Sequence, residues 1–192
     1  FVSSNTYLRS LKGEVEIEEN EFEPGVIRIG YGDVGIFDQK YSRTIWEVSG
    51  NVFFKGSALI GHGSKIVVGE LGALVVGKRF TISAESTIVC QHRIEIGNDC
   101  LFSWDILVMD TDFHKIFSKE SGIQINKNKK IIIGDKCWIG CRSLILKGSE
   151  VPVNTVVAAN TLLSKTVNFQ NNSNIIGGAP LQVLKKNVFW KR

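Results

Sequence analysis

Three histidines, His62, His92 and His114, are the residues in this 192-residue chain best suited to proton transfer. An unperturbed imidazole has a pKa of about 6.5, so it can accept a proton near neutral pH. His62 follows a glycine inside a regular repeat, where we expect it to face solvent, and His92 lies where the repeat slips, which favours a structural role. His114 begins a long excursion from the repeat, a common place for function, and is the candidate base.

Two carboxylates, Asp110 and Asp112, precede the candidate base. Either one can accept a hydrogen bond from the His114 Nδ1 and hold the tautomer that leaves Nε2 free, although a backbone carbonyl can do the same. The alternative is that both aspartates cap the loop. The sequence leaves this choice open.

The four cysteines, Cys90, Cys100, Cys137 and Cys141, are the rival nucleophiles. They are too few for a disulfide scaffold and lack zinc-ribbon spacing, so we expect reduced thiols in a cytoplasmic protein. Cys137 occupies a small-residue position of the repeat, and Cys141 has no histidine near it in sequence. A covalent cysteine mechanism is therefore disfavoured.

The elements that must position these residues are hexads, in which a large apolar residue recurs at every sixth position. Eight successive hexads carry it at Ile133, Ile139, Ile145, Val151, Val157, Leu163, Phe169 and Ile175. The earlier chain keeps the period with phase slips, at Val48, Phe54, Ile60, Ile66, Val76, Ile82, Ile88, Ile96, Phe102 and Val108. Such a repeat indicates a solenoid of short strands with one large side chain per hexad pointing inward.

The repeat also divides the chain. Residues 1–46 alternate without clean hexads and are predicted to be strands that lead into the solenoid, which spans 47–178. Residues 109–130 form the excursion, and in residues 179–192 Pro180 can begin a helix. The predicted fold is all-β, with a protruding loop and a short C-terminal helix.

Composition excludes several classes of protein. A hydrophobic content of 43% excludes a disordered chain, and no run approaches the roughly 18 apolar residues of a membrane span. The 23 Lys and Arg against 19 Asp and Glu give a net charge of +4, too weak a balance to indicate nucleic-acid binding. We expect a cytoplasmic protein with no transmembrane segment and no nucleic-acid partner.

The segment Ile-Gly-Asp-Lys-Cys-Trp-Ile-Gly at 133–140 and the tail Ile-Ile-Gly-Gly-Ala-Pro at 175–180 carry a family resemblance. Over residues 48–192 the chain resembles the hexapeptide-repeat acyltransferases, in particular the sugar and surface-polysaccharide O-acetyltransferases. The resemblance implies a left-handed parallel β-helix with three hexads per coil. It also implies a homotrimer with active sites between subunits.

The implied activity is acetyl-CoA-dependent O-acetylation of a carbohydrate hydroxyl, in a surface or capsular polysaccharide or its precursor. The family places its catalytic histidine in a loop like that of His114. The implied mechanism is direct transfer: the histidine deprotonates the acceptor hydroxyl, and a backbone N–H stabilises the oxyanion without an acyl-enzyme.

The resemblance also implies two binding surfaces. Residues expected to hold acetyl-CoA are Trp138, Gly140, Ala158 and Ala159 along the pantetheine and Lys165, Lys185 and Lys186 at the phosphates. Residues expected to hold the sugar come from the coils before the loop: Glu85, Trp104 and Asp105.

Three rival functions remain on the same predicted fold. An amino-sugar N-acetyltransferase keeps the chemistry and changes the acceptor, and a non-catalytic trimeric scaffold removes the chemistry. A γ-type carbonic anhydrase needs three zinc-binding histidines, two of them close in sequence, and the histidines here are 30 and 22 residues apart. No metal is therefore expected.

Overall fold

Each hexad forms one short strand or one turn of backbone in the computed structural model, which describes residues 1–18, 20, 22–165 and 173–191. Within these residues the chain forms strands β1–β21 and no α-helix. No helix in the described part has the length and apolar character needed to cross a membrane.

Three sheets make up the three faces of a parallel β-helix. Face 1 contains β1 (Thr6–Leu11), β4 (Thr44–Val48), β7 (Lys65–Val68), β10 (Thr87–Cys90), β13 (Leu107–Met109), β16 (Leu144–Leu146) and β19 (Leu162–Leu163). Face 2 contains β2 (Glu14–Ile17), β5 (Asn51–Phe54), β8 (Ala73–Val76), β11 (Arg93–Ile96), β14 (Ile131–Ile133) and β17 (Glu150–Val151). Face 3 contains β3 (Ile27–Tyr31), β6 (Ala58–Gly61), β9 (Phe80–Ala84), β12 (Leu101–Trp104), β15 (Trp138–Ile139), β18 (Val156–Val157), β20 (Ile175–Gly177) and β21 (Gln182–Lys185). Three consecutive strands make one coil, and each coil pairs in parallel with the next.

The predicted inward positions form the core. The hexad residues from Val48 to Leu163 are all at most 2% exposed, and Phe80 packs edge-on against Phe102 at 5.1 Å. The last hexad is the exception, because Ile176 is buried and Ile175 is not. Val157 pairs with Ile176, so the phase has moved by one residue after β19. Phe169 lies outside the described residues.

Small hydroxyl residues close the turns between strands. The buried hydroxyls of Ser143, Ser149 and Thr161 each donate to the carbonyl three residues earlier, at 2.8, 2.7 and 2.6 Å. A buried hydroxyl costs free energy unless it is hydrogen-bonded, and these bonds satisfy the turn carbonyls as well. Each of these residues lies four positions after an inward apolar residue, so that position of the hexad caps the turn.

Residues 1–46 are part of the β-helix, which corrects the predicted boundary. Strands β1, β2 and β3 pair in parallel with β4, β5 and β6, so they form the first coil. Residues 32–43 leave that coil between faces 3 and 1 as an excursion that the hexad pattern did not reveal. The second excursion, residues 110–130, leaves face 1 after β13 and returns as β14 on face 2.

The predicted C-terminal helix is wrong. Residues Gln182–Lys185 form β21, which pairs antiparallel with β20 and forms the last strand of face 3. The edge of a parallel sheet presents unpaired backbone groups, and a returning strand satisfies them where a helix would not. The spacing of Leu181, Val183 and Leu184 predicted a helix, but pairing with β20 decides the conformation of this segment.

Candidate active site

Asp110 anchors the root of the second excursion. Its side chain is fully buried, and its carboxylate accepts hydrogen bonds from the backbone N–H groups of Gln91, His92 and Arg93, at 2.7, 2.8 and 2.8 Å. These donors belong to the preceding coil, at the corner between faces 1 and 2. The prediction that Asp110 orients His114 is wrong, because both of its oxygens already serve this backbone turn.

Hydrogen bonds among Asp112, Asn126 and Lys147 join both ends of the second excursion to the next coil. The Asn126 Nδ2 donates to Asp112 Oδ2 at 2.8 Å and to the His114 carbonyl at 2.7 Å. The Lys147 ammonium donates to Asp112 Oδ2 at 2.5 Å and to the Asn126 carbonyl at 2.9 Å. Hydrogen bonds from Lys147 and Asn126 lower the pKa of the Asp112 carboxyl. Asp112 therefore positions the backbone of His114 and does not contact its imidazole, which corrects the predicted side-chain contact.

His114 borders an open cavity of about 340 Å³ at the base of the excursion. Its side chain is exposed, and the imidazole forms no hydrogen bond with any described residue. The cavity is lined by two lysines, four side-chain amides, a threonine, a phenylalanine and the histidine: Lys115, Lys127, Gln91, Gln124, Asn126, Asn128, Thr111, Phe113 and His114. An imidazole free at both nitrogens, with amide and ammonium donors around it, is suited to act on a polar ligand.

His62 is buried, which corrects the expectation that it faces solvent. Its Nδ1 lies 3.1 Å from Ser42 Oγ, and the Ser42 hydroxyl donates to Glu85. Lys65 also donates to Glu85, at 2.6 Å. Burial raises the pKa of the Glu85 carboxyl, and the hydrogen bonds from Lys65 and Ser42 outweigh it and lower the value. The excursion at 32–43 covers this cluster, so His62 is a packing residue.

The predicted sugar contacts are not made within one chain. The Glu85 carboxylate accepts hydrogen bonds from Lys65 and Ser42. The Asp105 Oδ2 lies 3.5 Å from the Arg142 Nε. Glu85 and Asp105 lie at the corner between faces 3 and 1, and Trp104 ends β12 beside that corner, whereas the His114 cavity lies between faces 1 and 2. The structure therefore brings none of the three to the cavity of the same chain.

Trp138 stands on the outside of face 3. Its Nε1 donates to Ser103 Oγ at 3.1 Å, and its ring lies 6.0 Å from that of Trp190. Along face 3 it occupies one row of paired residues with Val156, Ile175 and Lys185. Trp138 and Lys185 thus share an outer surface, and their contact with a coenzyme stays a prediction.

The small residues of the predicted coenzyme surface have a structural role of their own. A Cβ on Gly140 would lie 2.6 Å from the Ala159 nitrogen and 2.8 Å from the Val157 carbonyl, because the next coil passes directly below. The backbone is equally close one coil further on, where the Ala158 N–H donates to the Ile176 carbonyl at 2.8 Å. Close stacking of coils at this corner therefore accounts for Gly140.

The three predicted phosphate partners do not form one cluster. Lys165 lines a cavity of about 350 Å³ with Ala179, Pro180 and Leu181 at the C-terminal end of the β-helix. Lys185 ends β21 on face 3, and Lys186 follows it. All three side chains are exposed, so each can reach an anionic ligand.

The cysteines are free thiols. Burial raises the pKa of Cys90 to about 12. The hydrogen bond to Cys100, together with burial, raises the pKa of the Cys137 thiol. A nucleophilic cysteine needs a lowered pKa and access to solvent, so neither Cys90 nor Cys137 is suited to acyl transfer. In the described part of the chain, no group of three His, Cys, Asp or Glu side chains is arranged to hold a metal ion.

Sequence reasoning missed Lys147, Asn126 and Gln91. Lys147 is an outward residue of a regular hexad, and Asn126 is one of several polar residues in the excursion. No motif distinguishes them from their neighbours. Their role follows only from the path of the excursion in space.

No protein-family model matches the chain. Curated proteins do: the chain is 30% identical over 143 residues, 74% of its length, to a polysialic acid O-acetyltransferase of Escherichia coli. It is 41% identical over 66 residues, 34% of its length, to the polysialic acid O-acetyltransferase of Neisseria meningitidis. These similarities confirm the predicted resemblance to the sugar O-acetyltransferases with hexapeptide repeats. It spans 43% and 31% of the lengths of these two relatives.

The fold of the chain also matches a solved structure. The polysialic-acid-specific acetyltransferase NeuO superposes with a TM-score of 0.68 at 24% identity, covering 97% of this chain and 72% of that one. The predicted fold class, a left-handed parallel β-helix with a protruding loop, is confirmed apart from the terminal helix.

Proposed function

We propose that this chain is an acetyl-CoA-dependent O-acetyltransferase that acts on a hydroxyl of an acidic carbohydrate in a surface polysaccharide or its precursor. The observation that carries the proposal is the His114 imidazole, which has no hydrogen-bond partner among the residues that the structure describes and lies at the edge of a polar cavity of about 340 Å³. Sequence similarity to two polysialic acid O-acetyltransferases supports the acceptor class.

In the proposed reaction His114 Nε2 takes the proton of the acceptor hydroxyl. The hydroxyl oxygen forms a bond to the acetyl carbon, and the carbon–sulfur bond of the thioester then breaks. The imidazolium returns its proton to the leaving thiolate, so His114 ends the cycle neutral. A base of this kind contributes roughly 10²- to 10⁴-fold to the rate, with positioning supplying much of the rest.

The charge of the cavity favours an acidic acceptor. Lys115 and Lys127 line it, and none of the lining residues carries a carboxylate. The nearby Asp112 is already paired with Lys147. Ammonium groups bind carboxylates through charge-assisted hydrogen bonds, and the side-chain amides can bind sugar hydroxyls.

We propose that acetyl-CoA lies along the outer surface of face 3, with Trp138 and the corner of Gly140, Ala158 and Ala159 beside the pantetheine. Lys165, Lys185 and Lys186 would then be the cationic partners for the phosphates. Their exposure supports this assignment.

We also propose a homotrimer. The outer surface of face 1 carries a row of leucines, in which Leu107 pairs with Leu144 and Leu144 pairs with Leu162. Met109 and Leu146 form the adjacent row. Leu144 is 42% and Leu162 37% exposed in the single chain. Contiguous apolar surface of this kind on a sheet face favours contact with symmetric copies, which would complete the active site.

Free thiols support a cytoplasmic location, where acetyl-CoA is available. All four cysteines are free thiols, and three of them are buried. Reduced thiols are typical of a reducing compartment.

The experiment is transfer of labelled acetyl from acetyl-CoA to polysialic acid, with the wild type, His114→Ala and His92→Ala. His92 is the matched control, because its exposed side chain does not line the cavity. His114→Ala should lower kcat by roughly 10²- to 10⁴-fold and leave coenzyme affinity unchanged. Equal activity in the two variants would remove His114 from the role of base. Transfer to an amino-sugar nitrogen alone would favour the N-acetyltransferase alternative, and no coenzyme binding would favour the scaffold.

A further inference from the structure

The C-terminal tail forms another cavity, on the corner between faces 2 and 3. This cavity has a volume of about 270 Å³ and lies on a different corner from the His114 cavity. Its walls are two aromatic residues of the tail and three polar corner residues: Phe189, Trp190, Asp99, Lys136 and Asn154. The proposed transfer reaction does not use any of them.

The aromatic wall is fixed to the β-helix. The Val188 nitrogen donates to the Ser173 carbonyl at 2.9 Å, and the Trp190 Nε1 donates to the Lys136 carbonyl at 2.9 Å. The Trp190 ring also packs on Trp138. Between these two anchors Phe189 is 81% exposed, so its ring is held at the surface, with the Lys191 ammonium 6.0 Å from the ring centroid on one side.

The polar wall is a column of corner residues from three successive coils. Asp99, Lys136 and Asn154 all have a left-handed backbone, with φ of 58°, 54° and 56°. Successive coils lie about 4.8 Å apart, the spacing of neighbouring strands. The column therefore presents polar side chains at regular intervals along the edge of the cavity.

Two of these side chains are available to a ligand. Arg79 holds the Asp99 carboxylate through two hydrogen bonds, at 2.5 and 2.7 Å. The Lys136 ammonium forms no ion pair with any residue that the structure describes, and the Asn154 amide forms no side-chain hydrogen bond within the same residues. The cavity thus combines an ammonium, an amide and an aromatic ring.

We propose that this cavity is an accessory subsite for one acidic sugar residue of a polymeric acceptor. The Phe189 ring would cover the apolar face of the sugar, Lys136 would bind its carboxylate, and Asn154 would bind a hydroxyl. This inference rests on the proposed function, since it assumes a carbohydrate acceptor.

The position of the subsite selects for polymers. The coil of β13, β14 and β15 carries both sites, because Lys127 lines the His114 cavity and Lys136 lines the subsite. One side of the coil separates them, about six residues or roughly 20 Å of extended backbone. A single sugar cannot occupy both sites of one chain, and an oligosaccharide can.

The test compares sialic acid and polysialic acid as acceptors for Phe189→Ala and Lys136→Asn. Asparagine tolerates the left-handed backbone of residue 136. Phe22→Ala is the control, because Phe22 is also an exposed phenylalanine, 69% against 81% for Phe189, and lies in the first coil. Each subsite variant should raise KM for polysialic acid by roughly 3- to 10-fold and leave kcat, KM for sialic acid and KM for acetyl-CoA unchanged. The control should match the wild type.

The subsite proposal would be overturned by equal KM changes for both acceptors, by a change in KM for acetyl-CoA, or by an unchanged KM for polysialic acid. A second readout is independent of catalysis: polysialic acid should quench tryptophan fluorescence, with Kd raised by a similar factor in Phe189→Ala. If no acetyl transfer occurs, the proposed function fails and this titration alone decides the subsite. Absence of quenching would then overturn it, and quenching weakened only in the subsite variants would support it.

Discussion

The ammonium of Lys147 lies 2.5 Å from the Asp112 carboxylate and joins two segments that are 35 residues apart in sequence. Lys147 follows β16, on the coil after the one that the excursion interrupts. The same ammonium holds the returning limb through the Asn126 carbonyl. The backbone position of His114 is therefore set by a residue of the rigid scaffold.

Lys147→Met should reduce turnover without unfolding the protein. Loss of both hydrogen bonds frees the excursion, and misplacing a base by about 1 Å costs up to roughly 10²-fold in kcat. A pair of this kind contributes only about 1 kcal/mol to global stability. Steady-state kinetics with amide hydrogen exchange over residues 112–128 measures both effects. Lys119→Met, which removes an exposed lysine of the same loop, is the control, and equal kcat in the two variants would contradict the role of Lys147.

The order of the excursion should depend on pH through Asp112. Hydrogen bonds from Lys147 and Asn126 lower the pKa of this carboxyl in the folded protein. A depressed folded pKa means that the stabilisation is present above the unfolded value of about 3.9 and is lost as the pH falls through the folded value. The NMR signal of the Asn126 side-chain amide should stay constant from neutral pH to about pH 5 and shift below pH 4. In Asp112→Asn this shift should disappear, and its persistence would assign the titration to another group.

Asp110→Asn should destabilise the protein more than Asp112→Asn does. The Asp110 carboxylate accepts three backbone N–H groups in a buried site, and an asparagine NH₂ group would oppose at least one of them. An unsatisfied buried donor costs about 1–3 kcal/mol. Urea denaturation of both variants gives the comparison. Equal free energies of unfolding would show that Asp110 is not the anchor of the excursion.

Leu144→Glu should dissociate the proposed trimer. The substitution places a charge within the leucine row of face 1, where a partner subunit would remove it from water. Light scattering should report a monomer mass for this variant. Phe22→Glu, on the corner between faces 2 and 3, should keep the wild-type mass. If the Leu144→Glu variant keeps the trimer mass, the interface lies on another face.

The hexad period predicted most of the fold, because one apolar residue in six is enough to define an inward position of a coil. It failed where pairing between distant segments decides the structure. The first coil has alternating residues without hexads, yet β1–β3 pair with β4–β6. The terminal segment has helical spacing, yet it pairs with β20 at the edge of face 3 and forms β21. Neither partner can be read from local sequence.

The candidate site was predicted in part. His114 stands out because it is a histidine at the start of a break in the repeat. The partners of the two aspartates do not stand out, since the three N–H donors to Asp110 are backbone groups and carry no sequence signal. Trp190 is similar: its contact with Trp138 depends on the tail turning back across the coils.

Both excursions leave the β-helix at corners, and the strands on either side of them keep their pairing. Corners are therefore the places where this architecture can acquire new segments during evolution. Excursions as different in length as residues 32–43 and residues 110–130 are accommodated there, because the chain re-enters the next face in phase. Within a face, by contrast, one added residue would reverse the inside and outside of a strand. A scaffold of this kind can exchange one loop while the stacked coils stay intact.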